Sequence, residues 1–290
     1  MNNKYYNSIW YIEENKCCVK RFDISDSLKK YPVVVESIYS LISQGSEKIV
    51  FNGNIPSKIS ENMKIPYQIN GFTYPFNYGY SLVGSVQDGP NHMLGKHIHL
   101  LHPHTSMAFV HANDCTLIPD GVSLEKAALL SQMQTAITAI WDAKIVFGDK
   151  ILIMGFGLIG ALIAHLLKDR IDLNISVYEP NQERSRLATS MGFDTCKLND
   201  QESMVDVVFY CTSNVNGLQD AFNVLRNNAK LIQVAWFGDE RANLELGGLF
   251  HVKRLKWISS QVSQIPGYLQ SRWSTKSRNN LAFKCLKQIK

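Results

Sequence analysis

The run Gly155-Phe156-Gly157-Leu158-Ile159-Gly160 stands where an apolar stretch, Ile151 to Met154, gives way to a helical pattern. In a strand-to-helix turn such a G-x-G-x-x-G run grips two linked phosphates. Gly155 permits the tight turn, Gly157 lets backbone N–H groups approach a pyrophosphate, and Gly160 lets helix and strand pack closely. Leu158 and Ile159 open the helix, where backbone N–H groups have no partner within it. Glu179 follows nineteen residues after Gly160, at the end of the apolar stretch Ile175 to Tyr178. A carboxylate there accepts both hydroxyls of a ribose and repels a 2′-phosphate, so NAD is expected over NADP unless Arg184 or Arg186 compensates. FAD, or a glycine turn that merely packs an ordinary βαβ unit, are the alternatives.

The pattern around this run alternates strand and helix. Strands are expected at 151–154, 175–178, 205–211, 230–235 and 257–260, and helices from the glycine run to Lys168, at 182–191 and at 218–225. Continuous apolar strands alternating with helices imply an α/β fold, a doubly wound parallel sheet covered on both faces. Before residue 120 the texture differs, with short β-branched runs (Pro32 to Tyr39, Leu82 to Val86, His97 to Leu101, Phe109 to His111) separated by turn residues. Between the halves, Ser123 to Ala143 reads as one long helix with Ser123 as its N-cap. The expected division of the 290 residues is therefore a β-rich domain over 1–120, a dinucleotide-binding domain over 121–256 and a terminal segment over 257–290.

With 45% apolar and 19% charged residues, the chain is neither disordered, collagenous nor a coiled coil. Its net charge of +5 is uneven: residues 251–290 carry nine Lys and Arg and no Asp or Glu, which leaves −4 for the rest. No nucleic-acid motif accompanies this tail, so a solvated basic face is expected; nucleic acid, an anionic membrane surface and an acidic substrate are the alternatives. The six cysteines include no C-x-x-C pair and read as reduced thiols, and the N-terminus lacks the pattern of a secretory signal, so a cytoplasmic location is expected.

Several local motifs resemble the medium-chain dehydrogenase/reductase superfamily. Ser43-Gln44-Gly45-Ser46-Glu47 is similar to the segment that in zinc-bearing members reads Cys-Gly-Thr-Asp, and Tyr78-Gly79-Tyr80-Ser81-Leu82-Val83-Gly84 to their Gly-His-Glu segment. Ser43, Tyr80 and Ser81 stand where the metal-binding Cys, His and Glu would be, and the lobe that holds structural zinc in some relatives is absent. Together with His102-Pro103-His104, Trp236-Phe237-Gly238-Asp239 and Ser259-Ser260-Gln261-Val262, these features resemble a zinc-lacking branch labelled "zinc-type alcohol dehydrogenase-like". Bacteriochlorophyllide dehydrogenases share the first two. The resemblance implies a Rossmann domain joined to a β-rich GroES-like N-terminal domain, and a homodimer. It also implies a longer return to the first domain than the single candidate helix at 281–289, which is left without an evident partner.

Neutral hydroxyls do not replace thiolate and imidazole as tight zinc ligands, so no catalytic or structural zinc is expected. Something else must handle the proton of an alcohol. Tyr80, Ser43, Ser46 and His104 are the catalytic candidates; Glu47, His102 and Gln261 are candidates for substrate contact, with Glu47 equally readable as a structural hydrogen-bonding group. Six of the eight histidines fall between His92 and His111. Metal binding, a proton relay through His104 or His102, and plain packing are all open for them. Trp236 follows a strand of the parallel sheet and is a candidate to flank the cofactor. The expected function is a zinc-independent, NAD(P)-dependent oxidoreductase interconverting an alcohol and a carbonyl on a small organic substrate, with neither nucleic acid nor membrane as partner. The alternative is a non-catalytic dinucleotide-binding or interaction protein whose active site has decayed.

Overall fold

A computed structural model describes residues 4–25, 31–168, 170, 172–198 and 204–289. Lys290 of the basic tail and the first three residues of the N-terminus lie outside them. The chain divides into two compact units: 1–131 with 279–288, and 132–278. The boundary thus lies at 131, against the 120 read from the change of pattern.

The first unit is built from antiparallel strands β1 (Tyr5–Glu13), β2 (Lys16–Asp23), β3 (Val33–Ser40), β4 (Phe76–Asn77), β5 (Leu82–Asp88), β6 (His97–Leu100), β7 (Met107–Val110) and β8 (Thr116–Leu117), with short helices α1 (Ser46–Phe51), α2 (Ser60–Met63) and α3 (Leu124–Ala127). They form a three-stranded sheet, β2-β1-β4, and a five-stranded sheet, β7-β3-β5-β6-β8. Val33, Val35, Leu82, Ile98, Ala108 and Val110 make the core of the larger sheet. This is the GroES-like domain.

The expected helix over 123–143 is in fact two. Ser123 does cap α3, its hydroxyl accepting from the N–H of Lys126 at 3.3 Å. The helix then stops because the Ala128 carbonyl is taken by the Ser81 hydroxyl and the Leu129 N–H closes early on Lys126. It restarts as α4 (Leu130–Ala143).

In the second unit, strands β9 (Lys150–Met154), β10 (Asn174–Tyr178), β11 (Asp194–Thr195), β12 (Val205–Tyr210), β13 (Leu225–Gln233) and β14 (Lys256–Ser259) alternate with α5 (Leu158–Leu167), α6 (Gln182–Ser190) and α7 (Leu218–Asn223). Every pairing in this sheet is parallel and its order is β11-β10-β9-β12-β13-β14. Counted from β9 that is 3-2-1-4-5-6, the Rossmann order, in which the strand order reverses beside β9 and ligands bind beyond the carboxyl ends of the strands. The apolar run 151–167 is accordingly strand, turn and helix. Among the described residues no helix is long and apolar enough to cross a membrane.

The basic tail is less of a face than its composition implies. Lys253 is buried, its ammonium donating to the carbonyls of Asn223 (3.1 Å) and Leu225 (2.8 Å), which satisfies the open carbonyl end of α7. Arg278 is buried too and donates to Thr138 Oγ1 at 3.0 Å. The last helix, α8 (Thr275–Gln288), does have a partner: Ala282, Phe283 and Leu286 are buried, Asn279 donates to Thr116 and Lys287 to the Asp120 carbonyl, all within the first unit. All six cysteines are free thiols.

Candidate active site

The candidate residues fall in two groups, one per unit. In the second unit the glycine turn joins β9 to α5. Gly155 has φ +96°, a left-handed conformation that favours glycine, and its N–H donates to the Tyr178 carbonyl at 2.9 Å. A Cβ on Gly160 would lie 2.1 Å from the Gly155 carbonyl oxygen, so nothing larger fits. A Cβ on Gly157 would meet nothing within 4 Å. The turn is thus closed on its inner side and open in front of Gly157, which is the N-cap of α5 and makes no side-chain capping bond. The open N-terminus of a ten-residue helix presents free N–H groups and the positive end of its dipole. Leu158, exposed, and Ile159, half-buried, are its first two residues.

Glu179 is buried beside this turn. Its Oε2 accepts the Phe156 N–H at 2.8 Å, its Oε1 accepts the Asn181 N–H at 2.9 Å, and Arg184 approaches Oε1 at 3.3 Å. A carboxylate offers about four acceptor positions. Two are held by backbone, and the half-exposed Arg184 side chain can release a third, leaving a pair free for two hydroxyls. Next to it, Tyr178, Arg186, Thr195, Cys196 and Lys197 line a pocket that Glu179 shares. Trp236 sits half-buried just beyond β13, next to Phe237, whose ring meets Tyr210 edge-on. Gln261 is exposed and its side-chain oxygen accepts the Ser263 N–H, so that oxygen serves a local turn.

In the first unit the structure brings Glu47 and His104 together. Glu47, in the first turn of α1, is 3% exposed; its Oε1 accepts the Ser43 N–H at 2.8 Å, and its Oε2 lies 2.7 Å from His104 Nε2 and accepts the Tyr11 hydroxyl at 3.3 Å. On the far edge of the ring, His104 Nδ1 lies 2.5 Å from Ser40 Oγ. The ring rests on Gly79, where a Cβ would come within 2.7 Å of it. Ser43 therefore joins the group through its backbone. Ser46 begins α1, half-buried, and Tyr80 is half-buried with its ring 6.3 Å from that of Tyr78. Tyr11 and Tyr78 are both held above the ordinary tyrosine range, chiefly by burial and then by negative charge or neighbouring phenol groups, so neither acts as a base.

His102 points elsewhere. Its ring stacks on Tyr67 at 5.2 Å and its Nδ1 lies 2.8 Å from the Pro103 carbonyl. His99 is buried with Nε2 3.0 Å from Ser81 Oγ, while His97 on the same strand is exposed. Burial pulls His99 down to about 3 and His102 to about 4. Both stay neutral when folded and take up protons when unfolded below the ordinary histidine value of about 6.5. Folding stability is therefore full above that pH and falls with acidification, by about 1.4 kcal/mol per pH unit for each histidine until its folded pKa is reached. Thermal melts between pH 7.5 and 5 should show a slope that His102→Phe reduces; an unchanged slope would contradict the assignment.

Ser43, Tyr80 and Ser81, at the positions equivalent by resemblance to zinc ligands, are three neutral hydroxyls. That of Ser81 is already committed to His99 and to the Ala128 carbonyl. This donor set does not fit a tight zinc site. Among the described residues no three His, Cys, Asp or Glu are grouped so as to hold a metal ion.

No family model matches the chain. The D-guloside 3-dehydrogenase of Shigella flexneri is 24% identical over 171 residues, 55% of this chain and 49% of that protein. The 2-dehydro-3-deoxy-L-galactonate 5-dehydrogenase of Pseudoalteromonas atlantica is 25% identical over 129 residues, 41% of this chain and 38% of that protein. The chain matches about half the length of the first of these relatives or less. Acetophenone reductase from Geotrichum candidum, solved in complex with NAD, superposes with a TM-score of 0.77 at 16% identity, covering 99% of this chain and 88% of that one. The Helicobacter pylori enzyme CAD, solved with NADP(H), gives 0.75 at 15% identity over 97% of this chain and 88% of that one. The chain shares the fold of these two structures. Their Rossmann and GroES-like parts correspond to its second and first units.

Sequence reasoning missed Ser40 and Tyr11. Neither carries a motif, and only strand pairing brings them to Glu47 and His104.

Proposed function

We propose that this protein is an NAD(P)-dependent oxidoreductase that interconverts an alcohol and a carbonyl on a small organic substrate without zinc, and that it prefers NAD. The observation that carries the reading is the glycine turn, open before Gly157 at the uncapped start of α5, with buried Glu179 beside it. The N–H groups of Leu158 and Ile159 would hold the pyrophosphate, and Glu179 the ribose hydroxyls once Arg184 is released. When bound, the nicotinamide accepts or donates the hydride. The proton is left to the first unit, where the Glu47–His104 pair is the one acid–base group held in fixed geometry among the catalytic candidates. Tyr80, Ser43 and Ser46 border it in sequence and supply hydroxyls for the substrate oxygen. Dehydrogenase names among the sequence relatives support the reaction class, and the zinc-deficient donor set supports the absence of a Lewis acid.

Arg186 and Lys197 share the pocket of Glu179, which narrows the preference for NAD without reversing it. Calorimetric titration should give saturable NADH binding, and Glu179→Gln should move the NADH to NADPH affinity ratio about tenfold toward NADPH, the loss of a charged hydrogen bond of about 1.5 kcal/mol. Arg186→Ala should weaken NADPH and spare NADH. An unchanged ratio in Glu179→Gln would contradict the cofactor assignment. NADH binding without turnover of any alcohol or ketone, with or without added metal, would favour a non-catalytic dinucleotide-binding protein instead.

A further inference from the structure

Ser40 closes β3, half-buried, with its Oγ 2.5 Å from His104 Nδ1 and 3.5 Å from the Ser81 carbonyl. His104 is otherwise sealed: Glu47 occupies Nε2 and Gly79 lies flat against the ring. Glu47 in turn is held by the Ser43 N–H and the Tyr11 hydroxyl. A carboxylate oxygen at Nε2 is matched by a ring N–H there, and with the ring proton on Nε2 the Nδ1 lone pair faces Ser40. The arrangement is a serine, a histidine and a glutamate in line, with the acid fixing the tautomer and the base aimed at a hydroxyl. Of its three members only Ser40 is not fully buried.

We infer that Ser40 is a catalytic residue of the reaction proposed above, the hydroxyl that exchanges a proton with the substrate oxygen, with His104 as its base and Glu47 as the residue that positions His104. The inference rests on that reading of the function. In the oxidising direction the alcohol proton passes to Ser40 Oγ while the Ser40 proton passes to His104 Nδ1. A bound oxidised dinucleotide would supply the two-electron acceptor, taking the hydride from the carbinol carbon as its bond to oxygen becomes double. The imidazolium, stabilised by Glu47, then returns its proton to Ser40 Oγ, which releases one to solvent. Reduction of a carbonyl runs the same path backwards. No metal is required, because the proton is removed as the charge on oxygen develops.

Two measurements test it on the full chain. The first needs no substrate: ¹⁵N NMR of histidine-labelled protein should show His104 protonated at Nε2 and bare at Nδ1 near neutral pH, with the Nδ1 signal moving in Ser40→Ala. A neutral ring protonated at Nδ1 and bare at Nε2 would overturn the inference. In the second, Ser40→Ala should lower kcat on a panel of secondary alcohols with NAD by about 10²-fold or more. Its KM should change little, its NADH affinity should stay within twofold, and Ser40→Thr should restore most of the loss. Wild-type turnover by Ser40→Ala would overturn the inference while leaving the oxidoreductase standing. Absence of NADH binding in the wild-type protein would instead sink the underlying function.

Discussion

Gly160→Ala should unfold or distort the second unit and abolish dinucleotide binding. The added methyl would sit 2.1 Å from the Gly155 carbonyl oxygen and 3.3 Å from the Ile153 side chain, and the oxygen belongs to backbone that cannot rotate away. Overpacking of this kind costs about 3 kcal/mol, a fall of roughly 6–12 °C in the Tm of a unit of this size. Gly157→Ala supplies the contrast. Its φ of −75° suits any residue and its Cβ would enter open space, so stability should hold within about 0.5 kcal/mol while NADH binding weakens. Thermal melts and NADH titrations of the two variants separate the roles. Equal stability of Gly160→Ala and wild type would contradict the close approach at Gly160.

The other large effect lies in the first unit. Glu47→Ala deprives the part-buried Ser43 N–H and the buried His104 ring and Tyr11 hydroxyl of one shared acceptor. Each donor left unsatisfied in the interior costs about 1–3 kcal/mol, so the loss of this shared acceptor should cost about 3–5 kcal/mol in all. Glu47→Gln keeps the shape and part of the bonding, so it should lose less, about 1–3 kcal/mol. Urea unfolding followed by fluorescence, in a background that keeps Trp10 as the sole tryptophan, reads the first unit; a Glu47→Ala variant within about 1 kcal/mol of its parent, on the order of an ordinary surface change, would contradict the network.

These two sites mark where the sequence was legible. The glycine run, Glu179 and the strand–helix alternation around them are local: each lies within about one βαβ unit, and the apolar runs of β9 and β12 have one stable place, the middle of a covered parallel sheet. Element identity in the second unit was readable for that reason. Its edges were less so. β13 begins at Leu225, five residues ahead of the expected Lys230, because a register shift carries Asn228 through φ +60° before the ladder resumes. The break between α3 and α4 was invisible because its cause, the Ser81 hydroxyl, comes from the residue just before β5, 47 residues away.

The Ser40–His104–Glu47 group shows the same limit more sharply. Glu47 and His104 each stood out by motif, but their pairing spans 57 residues, and the Ser40 contact to His104 spans 64. Nothing in the spacing couples them. What does is the antiparallel pairing of β3 with β5, which sets Ser40 opposite Leu82, together with the loop from Tyr78 that lays Gly79 against the imidazole. His102, equally prominent in sequence, turns the other way onto Tyr67 because Pro103 separates the two rings.

Crystals grown with NADH would test the central claim most directly. Pyrophosphate oxygens should lie within hydrogen-bonding distance of the Leu158 and Ile159 N–H groups, with the adenosine ribose on Glu179 in place of Arg184. A nucleotide bound elsewhere, or a Glu179 that keeps Arg184 and makes no contact with the ribose, would contradict it.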